Sequence, residues 1–295
     1  MKTDLSDHVR GPYGDALVRI ALCCATLLSL SFGSPSVARQ SASRLVRDAA
    51  WQSQVIPTGR FDLASATRSG RDTSDVLVIY IEGDGFAYTR EGRRSLDPTP
   101  TAPVALQLAV QHPGQGAVAW LARPCQYAAR SRHCQSDYWS IARFSSEVID
   151  SASQALDLLL RQTNRIRLIL VGYSGGGTLA ALLAERRRDV AALVTVAANL
   201  DLAQWTRAHR LSPLTRSLDP AAEAALLSTV PQIHFVGGDD TVVDPTIARS
   251  FVARMAPNAP VSIIVVPHQD HGGGWARRWP TLSTRPEPSQ VRGWR

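Results

Sequence analysis

A serine held between glycines closes an apolar run in this chain. Ile166–Val171 (IRLILV) leads into Gly172-Tyr173-Ser174-Gly175-Gly176, and a small-residue stretch with helical character, Thr178 to Ala184, follows. A sharp turn from strand to helix projects such a serine into a cleft with strained backbone angles. The flanking glycines remove Cβ atoms where strand and helix approach. At the helix start the dipole favours negative charge near the serine oxygen. With 20 glycines in the chain, the bare five-residue pattern arises readily by chance, so its weight comes from the strand before and the helix after.

A serine hydroxyl is a weak nucleophile until a base takes its proton and an acid holds that base. Both residue types follow in the order Ser, Asp, His, each beyond a later apolar run. After Gln232–Val236 comes Gly237-Gly238-Asp239-Asp240-Thr241-Val242-Val243-Asp244-Pro245, and after Val261–Val266 comes Pro267-His268-Gln269-Asp270-His271-Gly272-Gly273-Gly274-Trp275. Asp239, Asp240 and Asp244 share one loop, and Asp201 follows the preceding strand. Turn geometry before Thr241-Val242-Val243 favours Asp240, while Asp244 before Pro245 and Asp201 before a helix are natural caps. His271, ahead of three glycines, is favoured over His268 at the strand end. His112, His133, His209 and His234 have no such context.

The reaction such a set performs is acyl transfer, which also needs donors for a tetrahedral oxyanion. The amide of Gly175 is one. The second is expected from Glu82-Gly83-Asp84-Gly85-Phe86 after Val76–Ile81 (VLVIYI), through the amide of Asp84 or Gly85. The same loop is no dinucleotide fingerprint, since G-x-G-x-x-G fails at Tyr88. Tyr173, Asp201 and Trp205 are expected near the pocket.

The elements that position these residues alternate. Ala117–Leu121 and Ala191–Ala197 complete a set of short, nearly continuously apolar strands, with helices over Pro103–Gln111, Ser145–Gln162, Gly177–Arg187 and Thr246–Met255 between them. This pattern predicts a parallel sheet covered on both faces. One domain is expected over residues 75–279, with residues 200–230 as a possible small cap. Residues 39–74 are read as an N-terminal edge segment with strands that include Gly59–Ala64. Residues 280–295 are read as a flexible tail.

Residues 1–38 have the make-up of a secretory signal peptide: Arg10 and Arg19, the uncharged run Ile20–Phe32, then Ser36-Val37-Ala38 for cleavage after Ala38. A lipoprotein signal at Cys23 is opposed by the bulky Leu22, and a retained N-terminal anchor is the remaining option. The expected location is exported, periplasmic or secreted, without stable membrane insertion after cleavage. Beyond the signal only Cys125 and Cys134 remain, and in an oxidising compartment the pair is expected to form a disulfide. No metal site is expected, because that pair with His133 lacks tetrahedral ligand spacing. The net charge of +7 comes from scattered arginines interleaved with acids, as in Glu185-Arg186-Arg187-Arg188-Asp189, which argues against nucleic acid as a partner.

From about Val76 to Trp275 the chain resembles the α/β-hydrolase superfamily. The run Gly237-Gly238-Asp239-Asp240-Thr241-Val242-Val243 resembles that family's acid loop, in which the aspartate three after the glycine carries the role, and this implies Asp240. More narrowly, IEGDGFAY (81–88), SLDPTP (95–100), ARPCQY (122–127), YW (138–139), RFS (143–145), GYSGGG (172–177) and NLD (199–201) resemble small exported bacterial α/β-hydrolases of unassigned substrate. In similar proteins a histidine precedes a Trp-containing segment, as His271 precedes Trp275. The chain departs from a typical lipase, having no His-Gly pair before the oxyanion loop and no long apolar lid. The resemblance implies a single α/β-hydrolase domain and a hydrolase, and it supplies no substrate. The acyl-transfer chemistry of Ser174, Asp240 and His271 gives the expectation of a serine hydrolase without cofactor that acts on a small-molecule ester or acyl substrate. Two other readings use the same residues or fold: an acyltransferase with the same triad, and a non-catalytic periplasmic binding protein.

Overall fold

The computed structural model describes residues 35–89, 91–128 and 133–295, and these described residues form one compact unit. Among the described residues eight strands make a single sheet: β1 (Gln52–Pro57), β2 (Asp62–Arg68), β3 (Val76–Ile81), β4 (Ala117–Leu121), β5 (Arg167–Tyr173), β6 (Val190–Val196), β7 (Gln232–Gly237) and β8 (Val261–Val266). Their order is β1-β2-β4-β3-β5-β6-β7-β8. The six strands from β3 onward run parallel, whereas β2 lies antiparallel to both β1 and β4.

The helices are α1 (Pro35–Asp48), α2 (Val104–Val110), α3 (Ser146–Thr163), α4 (Gly175–Ala184), α5 (Leu202–Ala208), α6 (Pro245–Val252), α7 (Trp275–Leu282) and α8 (Pro286–Ser289). They cover both faces of the sheet. Along β3, Val76, Val78 and Tyr80 join one core with α1, α2 and α7, while Leu77, Ile79 and Ile81 join another with α3, α4 and α6. Every residue of β3 is buried, as two-sided burial of an apolar parallel strand requires. The expected single α/β domain with a mostly parallel sheet is present.

Three segments differ from expectation. The 39–74 segment begins with α1, whose Ala42 and Val46 are buried one helical turn apart with Leu45 and Ala49 packed beside them. The expected strand over Gly59–Ala64 starts later, at Asp62, because Thr58 and Phe61 close a turn through Thr58 Oγ1 and the Phe61 carbonyl. The tail from Pro280 is packed rather than frayed: Trp294 is fully buried, donates from Nε1 to the Ser283 carbonyl at 2.8 Å, and meets His112 and Trp279 edge-on. Its apolar area outweighs the Pro- and Arg-rich composition around it.

Residues 1–34, which contain most of the expected signal, lie outside the described residues, and the expected cleavage position after Ala38 falls within α1. No helix among the described residues is long and apolar enough to cross a membrane. Cys125 and Cys134 form a disulfide. His112 and His234 are core residues bonded to Tyr80 and Thr195, and burial pushes each imidazole down to about 3.

Glu185, just past α4, is a weak point in the core. Its side chain is 1% exposed, Oε1 has no partner among the described residues, and Oε2 lies 3.4 Å from Arg186. Burial, reinforced by Glu223 and Asp219 against Arg186, pushes its carboxyl up to about 8. A raised folded value means the neutral acid fits the fold, so stability is highest in acid and falls as pH rises from the ordinary carboxylate range through 8. Glu185→Gln is therefore expected to raise the melting temperature by about 2–4 °C at pH 8.5 and by less at pH 5, as thermal melts would measure.

Candidate active site

The parallel strands deliver the candidate residues to their carboxyl ends, where a cleft of about 420 Å³ opens. Its floor holds Ser174, which joins β5 to α4 at φ 50° and ψ −125°, a conformation a non-glycine residue adopts only under strong local constraint. The glycines make that turn possible. A Cβ on Gly172 would stand 2.3 Å from the Gly176 carbonyl oxygen, and one on Gly176 would stand 2.2 Å from that of Ile81.

Ser174 Oγ lies 3.0 Å from His271 Nε2, and His271 Nδ1 lies 2.8 Å from Asp240 Oδ2. Asp240 is buried at the end of β7, and its Oδ1 accepts the amides of Val242 and Val243, both at 2.8 Å. A carboxylate oxygen accepts, so Nδ1 carries the hydrogen and Nε2 is left free to accept from the serine. The histidine loop is anchored by Tyr173 Oη and Trp275 Nε1, which both donate to the His271 carbonyl. Burial raises the Tyr173 phenol above its ordinary value, so it stays a donor.

The neighbouring acids and histidine stand elsewhere. Asp239 and His268 face solvent and each other at 3.5 Å, and Asp244 caps α6 by accepting the Thr246 amide. Asp201, expected near the pocket, does not line it. It is buried as the cap of α5, accepting from Gln204, Ser250 and Arg254. Tyr173 and Trp205 do line the cleft, and Trp205 is held there by donating to the Val242 carbonyl at 2.7 Å.

Gly175 is the first residue of α4, so its amide has no intrahelical acceptor. The loop after β3 lies against it: a Cβ on Gly83 would meet Ser174 Cβ at 3.4 Å, and one on Gly175 would meet Asp84 Oδ1 at 2.1 Å. Within that loop the Gly83 amide donates to Glu82 Oε1 and the Phe86 amide to the Pro98 carbonyl. The amides of Asp84 and Gly85 donate to no acceptor among the described residues.

Three charged residues that sequence reasoning passed over hold this loop. Glu82, buried at the end of β3, accepts from the amides of Gly83 and Ala105 and from Trp120 Nε1, joining the loop to α2 and β4. Burial pushes its carboxyl up to about 6 against those donors. Arg123 and Arg143 grip the Asp84 carboxylate from either side, Arg123 Nη1 at 2.8 Å from Oδ1 and Arg143 Nη1 at 2.7 Å from Oδ2. Burial alone would raise the Asp84 carboxyl, but Arg143 and Arg123 more than offset it and hold it below the ordinary range. The sequence signal for the pair is slight: an arginine two residues after the apolar strand β4 and another in a segment bracketed by aromatic residues.

Solved structures share this architecture. Puromycin hydrolase superposes with a TM-score of 0.58 at 17% identity over 82% of this chain and 40% of its own length. An α/β serine hydrolase homologue from Coxiella burnetii gives 0.53 at 15% identity, over 78% of this chain and 93% of its own. The chain has the α/β-hydrolase fold. DcsB, solved in complex with its substrate analogue, gives 0.59 at 12% identity over 82% of this chain and 99% of that one. No protein-family model and no curated protein matches the sequence, so the likeness is one of fold. This chain spans 40% of puromycin hydrolase's length. On the α/β-hydrolase sheet, the serine turn, the acid loop and the histidine loop follow β5, β7 and β8.

Proposed function

We propose that this protein is an exported serine hydrolase that cleaves carboxylic esters of small molecules through an acyl-enzyme on Ser174. The observation that carries the reading is the continuous relay of 3.0 and 2.8 Å from Ser174 through His271 to buried Asp240, opening into a cleft. Ser174 Oγ attacks the ester carbonyl carbon while His271 Nε2 takes its proton. The imidazolium formed is stabilised by Asp240, and the same proton passes to the departing alcohol. The amides of Gly175 and of Asp84 or Gly85 hold the oxyanion. Water, activated by His271, then releases the acid. Export is part of the proposal, supported by the signal-like N-terminus and the Cys125–Cys134 disulfide.

A panel of p-nitrophenyl esters, assayed with and without added alcohols, tests this. The expected result is saturable turnover that yields free acid in both cases. Acyl-alcohol products in place of free acid would assign an acyltransferase instead, and folded protein that turns over no ester would contradict the proposal.

A further inference from the structure

The cleft wall holds a cation that the acyl-transfer machinery does not use. Glu82 and Asp84 bring two carboxyl groups to the wall beside Ser174, and Arg123 and Arg143 both pair with Asp84. Arg123 is the inner of the two arginines. Its side chain is 4% exposed, its Nη1 meets Asp84 Oδ1, its Nη2 donates to the Arg143 carbonyl, and its guanidinium lies 4.8 Å over the Phe144 ring. Arg143 is the one of the two that lines the cleft. Nε donates to the Ser140 carbonyl and Nη1 to Asp84 Oδ2, but Nη2 has no acceptor among the described residues, although the side chain is 10% exposed and lines the cleft. A guanidinium this far out of water, with a donor edge left over, is stabilised by an anion that completes its fork.

Its position says which part of a substrate that anion belongs to. Arg143 is separated from Gly175 by the Asp84 carboxylate alone. It therefore stands on the side of Ser174 where the carbonyl oxygen is to be held, a short chain's length from the acyl carbon. The Tyr88 ring, 6.0 Å from the Arg143 guanidinium, and Phe144 also line the cleft beside it.

We infer that Arg143 anchors a carboxylate on the acyl part of the substrate, so that the preferred esters are monoesters of short dicarboxylic acids. This rests on the hydrolase reading of the same site. The discriminating pair is p-nitrophenyl hemisuccinate and its methyl ester, which differ in one charge. The wild-type protein is expected to favour the hemisuccinate by about tenfold or more in kcat/KM, chiefly through KM, as an added ground-state contact should. Arg143→Gln is expected to bring that ratio to about one or below. A second measurement uses the wild-type protein only: succinate, and not succinamide, should slow fluorophosphonate labelling of Ser174. Equal kcat/KM for the two esters, or no protection by succinate, with Ser174 still labelled, would overturn the anion anchor alone. Absence of both labelling and turnover would overturn the hydrolase reading beneath it.

Discussion

Ser174→Ala is expected to lower ester turnover by about 10⁵–10⁶-fold in kcat while leaving the protein folded, the scale seen when a triad nucleophile is removed. Among the described residues the hydroxyl bonds to His271 Nε2 alone, at 3.0 Å, so its loss leaves no buried polar group stranded. The strained φ of 50° at this position belongs to the turn and not to the side chain, and alanine inherits it. Circular dichroism and the melting temperature should therefore match the wild type, and progress curves with p-nitrophenyl acetate should fall to the background rate. Turnover within tenfold of the wild type would place the nucleophile elsewhere.

Asp240→Asn is expected to cost about 10³–10⁴-fold in kcat, and the local bonding explains why an isosteric change does so much. Asp240 Oδ1 accepts two amides, from Val242 and Val243, at 2.8 Å each. An asparagine must keep its oxygen there, which turns its NH₂ toward His271 Nδ1. That nitrogen then has to accept, the ring hydrogen moves to Nε2, and Ser174 faces a donor that cannot take its proton. The same substitution at Asp239, which stands in solvent beside His268, is expected to leave kcat within about twofold. Steady-state kinetics of the two variants side by side would separate the acids.

Much of this arrangement is legible in the sequence because it is local. The strands from β3 to β8 are apolar on both faces, so they read as continuous runs, and each candidate residue follows the end of one. The choice between Asp240 and its neighbours is local too, since the Asx-type turn over Val242 and Val243 needs the aspartate directly before Thr241. What escapes sequence reading depends on partners far apart in the chain. Asp84, Arg123 and Arg143 come from three separate loops and meet only once β3, β4 and α3 are packed. Asp201 has the sequence position of a pocket residue, yet bonds to Ser250 and Arg254 turn its carboxylate into the interior. Trp294 shows the same limit at the chain's end. Its nearest neighbours are Arg292, Gly293 and Arg295, and nothing near it in sequence announces the slot formed by His112 and Trp279.

The central claim is that Ser174 is an activated nucleophile, and intact-mass spectrometry after exposure to a fluorophosphonate tests it most directly. The account predicts one covalent adduct per chain, located by peptide mapping at Ser174, and no adduct on Ser174→Ala. A folded wild-type protein that acquires no adduct, or one whose adduct persists on Ser174→Ala, would contradict it.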